Sequence, residues 1–184
     1  MSFLQNIHHS IFSAIERIAG DWFLPTLARF AFATVLAGYF WQSAITKLGE
    51  GFFGFLNPST GAYISILGEE TLVAYDFDTA NVPFFYDLIV YAGTWAEFIL
   101  PALIIVGLFT RIAALGMVGF VAVQTFVDLT VHKVGAETIG AWFDRDSASA
   151  IMDQRTLWFV LLSILIVKGA GALSLDRLLA GKPS

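Results

Sequence analysis

The stretch from Glu97 to Leu115 (EFILPALIIVGLFTRIAAL) constrains this chain more than any other. It sets a carboxylate inside an apolar run too long for an ordinary surface helix, turns on the single pair Thr110-Arg111, and enters a second apolar run at once. A carboxylate within a membrane span is costly and marks a functional-site hypothesis by default. The basic residue at the turn bears on which side of the membrane the hairpin faces.

The rest of the chain agrees with a membrane solvent. Hydrophobic residues make up 57% and charged residues 14%, against about 25% charged in a soluble domain. Four apolar runs read as spans of roughly 20 residues, at about 27–48, 84–109, 112–131 and 157–170. The fourth is the shortest and is extended towards its N-terminal side by Arg155-Thr156. Only helices and closed barrels satisfy their backbone in lipid. The runs lack the strict alternation of barrel strands, so the expected fold is all-α, an integral membrane four-helix bundle within one domain over residues 1–184. No cleavable signal peptide is expected, because the start lacks a basic flank, an apolar core and a small-residue cleavage site. Cysteine is absent, which excludes a disulfide framework and a thiolate metal site within the chain.

Ahead of the first span, Leu4, Ile7, Ile11, Ile15 and Ile18 recur at helical spacing. Gln5, Asn6, His9, Glu16 and Arg17 fall largely off that stripe. Residues 3–20 therefore read as an amphipathic N-terminal interfacial helix on the membrane, or as a helix packed on the bundle's own end. With four spans, both termini share one side with Arg17, Arg29, Arg111, Lys168, Arg177 and Lys182. Lys47, Lys133, Arg145 and Arg155 fall on the other. The excess of basic residues predicts cytoplasmic termini. Arg29 and Arg111 read as anchors that snorkel to the interface. The long loops on the other side carry an aromatic cluster at Phe52, Phe53 and Phe55, and an acidic tract.

The polar residues within the spans are the candidate site. Glu97 has Thr94 one turn away, and Pro101 removes the donor to its carbonyl. Gln124, Asp128 and His132 form one polar stripe at i, i+4 and i+8. Ser43 and Lys47 share a face of the first span, with Gln42 beside it. These sets fall at similar depths on facing helices. Three readings follow. Glu97 with Lys47, or Asp128 with His132 or Lys47, would be a structural ion pair. Alternatively, Glu97, Asp128, His132 and Lys47 would be the reacting groups of a quinone pocket, with Gln42, Ser43, Thr94 and Gln124 as further binding positions. A metal site is the weakest reading, since one histidine and two carboxylates are a sparse ligand set. No nucleotide loop and no basic patch for nucleic acid is present.

Three blocks resemble the DoxX family of bacterial membrane proteins. The first is Arg29 followed by an apolar run ending Ile45-Thr46-Lys47-Leu48. The second is Glu97 through Leu115, with its Gly-Leu-Phe-Thr-Arg hairpin. The third is the Gly-rich ending Gly169 through Ala172, followed by Leu173-Ser174-Leu175-Asp176. Ser43-Ala44 departs from the Gly that many relatives show before Lys. The resemblance implies a four-helix membrane fold related to the small membrane subunit of thiosulfate:quinone oxidoreductase. It therefore implies an oxidoreductase subunit linked to the quinone pool, with other membrane or periplasmic subunits as partners. It singles out Glu97, Lys47 and Arg111. The alternatives are a non-catalytic scaffold in a larger membrane complex and a small-molecule or metal transport component, which would need oligomerisation to form a pathway.

Overall fold

A computed structural model describes residues 2–181; Lys182, counted above among the basic residues, lies outside them. Nine helices of four or more residues are described. They are α1 (Ser2–Ala19), α2 (Phe23–Thr46), α3 (Thr60–Leu67), α4 (Glu69–Val73), α5 (Phe84–Val106), α6 (Thr110–Thr130), α7 (Ala136–Ile139), α8 (Ala150–Lys168) and α9 (Leu175–Leu179). Among the described residues the only β pairing is an isolated bridge between Leu48 and Pro58. Helices α2, α5, α6 and α8 are each long and apolar enough to cross a membrane.

The spans close into a ring. α2 packs on α5 and α8, and α6 packs on the same two helices. Phe32, Leu36 and Phe40 of α2, Ile104 of α5, Met117 and Val121 of α6, and Leu162 and Leu165 of α8 form the core. The outward faces stay apolar and exposed, as at Phe30, Leu115, Phe126 and Val167. Water would penalise such surface, whereas lipid is a neutral solvent for it.

Local chemistry sets the ends. α2 begins at Phe23, ahead of the expected 27, because Pro25 sits in its first turn, where a missing N–H costs nothing. It carries a π-helical turn over Phe32–Leu36. α5 ends on Gly107 at φ 71°, and Phe109 takes φ 48° just before α6. These two left-handed residues make the hairpin, so the second span stops at Val106 and the third starts at Thr110. α8 starts seven residues before the expected 157. Its polar opening is held by a reciprocal cap: the Ser149 N–H and hydroxyl donate to Asp153 Oδ2 at 3.1 and 2.7 Å.

α2, though the longest span at 24 residues, does not reach the far end of α5. It ends beside Glu97, midway along α5, and α3 takes its place against the outer half of α5. A small second core of Ala62, Tyr63, Leu72, Val82 and Val90 fixes α3 and α4 there. The Tyr63 hydroxyl donates to Asp87 at 2.7 Å. α1, by contrast, leaves its apolar face exposed along its length.

Candidate functional site

Because α2 stops short and α3 is slender, α2, α5 and α6 leave a cavity of about 710 Å³ between them. Small residues make the room: Ala92, Gly93 and Ala96 on α5 face Gly116 and Gly119 on α6. The remaining wall is mostly apolar, with Phe120, Val123, Val127 and Leu100 among its residues.

At one wall Lys47 meets Glu97. The Lys47 Nζ donates to Glu97 Oε2 at 2.8 Å and Oε1 at 2.9 Å. It also donates to the Ser43 hydroxyl at 2.7 Å, and that hydroxyl donates to Glu97 Oε1 at 3.1 Å. Lys47 is 9% exposed and Glu97 5%. The group is thus a closed, nearly dry cluster in which ammonium and carboxylate satisfy one another. Such a pair must be hydrogen-bonded throughout to offset its desolvation. The spacing of Ser43 and Lys47, one turn apart, is what lets a single carboxylate serve both.

The stripe on α6 reaches the same cavity. Gln124 and Asp128 line it, and His132 lies on its exposed rim. Asp128, however, pairs with neither His132 nor Lys47. Its partner is Arg155 of α8, a buried guanidinium that also donates to the Thr125 hydroxyl at 2.6 Å. Gln124 donates to the Tyr39 hydroxyl at 2.7 Å. Thr94 is buried one turn from Glu97 but is not part of the cavity wall, and Gln42 is exposed away from it. Arg155 and Tyr39 are the two site residues that sequence reasoning passed over. Arg155 had one signal: it is the basic residue at the head of the fourth apolar run. Among the described residues no group of three or more His, Asp or Glu side chains is arranged to hold a metal.

The Arg29 end differs from the anchoring expected of it. Arg29 turns inward and donates to the carbonyls of Ile104 at 3.0 Å and Ala170 at 3.0 Å, and also to those of Ile105 and Leu173. The carbonyls of Ile105, Ala170 and Leu173 are ones that the end of α5 and the chain after α8 leave without helical donors, and that of Ile104 also accepts from the Gly107 N–H at 3.2 Å. Asp176 completes the arrangement. It accepts from the N–H groups of Phe109 at 2.7 Å and Thr110 at 3.0 Å, capping α6. Burial alone would raise the Asp176 pKa. These N–H donors and the Arg29 charge outweigh it and hold the carboxyl below the usual carboxylate range. Arg111 stays exposed.

The blocks read from the sequence thus meet in two places: Lys47 with Glu97 at the cavity, and Arg29, the hairpin and Asp176 at the terminal end. No curated protein and no solved structure matches the chain. The DoxX family model matches residues 24–133, which include Arg29, Lys47, Glu97, the hairpin and Asp128 but not the Ser174-Leu175-Asp176 ending. That match spans more than half of the chain, from the start of the first span to just beyond the third, and the chain belongs to the DoxX family.

Proposed function

We propose that this protein is a membrane subunit of a redox system linked to the quinone pool, and that the cavity between α2, α5 and α6 receives the quinone. The observation that carries the reading is the cavity's make-up. Its volume of about 710 Å³ lies within the range of about 300–1,000 Å³ typical of small-molecule sites. Apolar walls suit a lipid-soluble ligand, and the polar groups are few and concentrated.

Those residues fit a headgroup with oxygen substituents. The Tyr39 hydroxyl accepts from Gln124 and keeps its own proton to donate. The Glu97 carboxylate retains lone pairs beside those used by Lys47 and Ser43. When bound, a quinone would supply the electron-transfer chemistry. The chain would orient it, exclude water through Phe120 and Leu100, and hold protons at Glu97 and at Asp128, nearer the rim. Lys47 and Arg155 keep the two carboxylates from standing as isolated buried charges.

The same reading places the termini in the cytoplasm of a bacterial inner membrane. Arg17, Arg111, Lys168 and Arg177 are exposed at the terminal end, whereas Lys47 and Arg155 are buried in ion pairs. Only Lys133 and Arg145 are exposed basic residues at the other end, so the bias in free positive charge is larger than the raw count. Periplasmic or membrane partners would supply the electron donor.

The test is purification in mild detergent followed by lipid extraction. Quinone retained with the protein and displaced by an added short-chain analogue supports the reading. No bound quinone and no quinone-dependent turnover with partner subunits would overturn it. A second reading, a non-catalytic scaffold, is favoured by one observation: both buried ion pairs join neighbouring helices, α2 to α5 and α6 to α8.

A further inference from the structure

Among the described residues, two helices at the terminal end have no partner for their apolar sides. On α1, Leu4, Ile7, Ile11, Ile15 and Ile18 make one stripe and are 42–74% exposed. His9, Ser13 and Glu16 occupy the opposite face. On α9, Leu175, Leu178 and Leu179 recur at i, i+3 and i+4, with Leu178 and Leu179 at 76% and 72% exposed, and Leu173 beside them at 73%. In water, such stripes on short helices are unfavourable, and a short isolated helix is itself marginal. Something apolar must cover both.

The fold says where that cover lies. Only Gly20, Asp21 and Trp22 separate α1 from the membrane-spanning α2. Asp21 lies 3.7 Å from Lys168 at the end of α8, so the link sits level with the end of the bundle. α9 is fixed at the same end, because Asp176 within it caps α6 at the hairpin. Trp22 and Phe23 stand exposed where the apolar belt of the bundle begins, the position at which tryptophan marks a membrane–water boundary. Both helices are thus tethered at the level where the lipid-facing surface of the bundle ends.

Charge fits the same cover. Arg17, Arg111, Lys168 and Arg177 are exposed at this end. Glu16 and Asp21 are the exposed acids beside them, while the Asp176 carboxylate is taken up in its cap. Basic side chains at this level match the phosphates of lipid headgroups. We infer that α1 and α9 lie flat on the bilayer at one shared depth, their leucine and isoleucine stripes in the acyl–headgroup boundary, forming a collar around the terminal end of the bundle. A helix with a strong apolar face and a polar opposite face binds in this way. The collar is independent of the quinone reading.

The chain contains no cysteine, so single cysteines report cleanly. Spin labels at Ile11→Cys, Ser13→Cys and Leu178→Cys, in the full chain reconstituted in vesicles of three parts phosphatidylcholine to one part phosphatidylglycerol, test the inference. These side chains are exposed, so the substitutions leave the bundle intact. Labels at 11 and 178 are expected to collide with lipid-dissolved oxygen several-fold more, relative to an aqueous nickel chelate, than the label at 13. Labels at 11 or 178 as open to nickel as the label at 13 would overturn the inference. So would shielding of 11 and 178 from both reagents, which would mean that protein covers them, either a second copy or the bundle itself.

Discussion

Lys47, the residue that ends α2, holds both carboxylate oxygens of Glu97, at 2.8 and 2.9 Å, at the wall of the cavity. A residue at the end of one membrane helix is thereby tied to the middle of another. The bond fixes where α2 stops, and the shortfall of α2 creates the cavity. Structure and proposed chemistry therefore share one pair of side chains, and they separate only in a double substitution.

Glu97→Gln and Lys47→Met are each expected to cost about 3–5 kcal/mol, since either leaves an uncompensated buried charge. The double variant should recover most of that loss. Unfolding of the four proteins by denaturing detergent measures the coupling directly. If the pair also serves quinone, the double variant regains stability without regaining quinone-dependent turnover. Additive losses would show that the two side chains do not depend on each other.

Gly119→Leu separates the cavity from the fold. A Cβ built on Gly119 meets no atom within 4 Å, and the residue lines the cavity. A leucine there should fill space without displacing neighbours. Stability should hold or rise by up to about 1 kcal/mol, because glycine is poor in a helix interior. Quinone carried through purification should fall several-fold. Unchanged retention would remove the cavity from the binding argument.

Asp176→Ala should cost about 1–2 kcal/mol, the value of a charged helix cap. The pH dependence has a definite sign. The folded carboxyl titrates below its ordinary value, so its contribution is full above the usual carboxylate range and is lost as pH falls through the folded pKa. Wild type should therefore lose stability in acid more steeply than the alanine variant. Equal acid slopes would show that the carboxylate is not tied to the hairpin.

Tyr63 should resist ionisation. Burial, and then its hydrogen bond to Asp87, hold its phenol well above the ordinary range. Alkaline absorbance titration should show a late-ionising phenol, and Tyr63→Phe should remove that late step. Because only the unfolded chain ionises this group near pH 10, wild-type stability should decline above that pH, and less steeply in the phenylalanine variant. The substitution should cost about 1.5–3 kcal/mol at neutral pH, the value of a hydrogen bond to a charged acceptor.

The spans were legible because lipid admits only helices and closed barrels, and the runs lack the alternation of barrel strands. What the apolar runs hid were polar residues satisfied from a distance. Asp153 and Gln154 read as the edge of a loop, yet they form the first turn of α8, which Ser149 caps, and Arg155, read as the start of the fourth span, is held there by Asp128. Helix α3 was invisible inside an acidic loop, since its partner Val90 belongs to another helix. Arg29 looked like an anchor because nothing in its neighbourhood names the carbonyls of Ile104 and Ala170. At the site, the i, i+4, i+8 spacing did carry Gln124, Asp128 and His132 to one wall. The partners Tyr39 and Arg155 lie 85 and 27 residues away from Gln124 and Asp128, beyond the reach of any local pattern.

The clamp of Arg29 and Asp176 has a consequence for biosynthesis. Arg29 enters the membrane with the first span, but two of its acceptors, Ala170 and Leu173, are made only after the last. The cap on the hairpin arrives later still, with Asp176. Until residues 170–176 follow the last span, the guanidinium lacks two of its four carbonyl acceptors and the hairpin holds two open N–H groups. Asp176 and the residues just before it therefore act as a latch: four inserted helices without them leave the hairpin uncapped and the Arg29 clamp half-built.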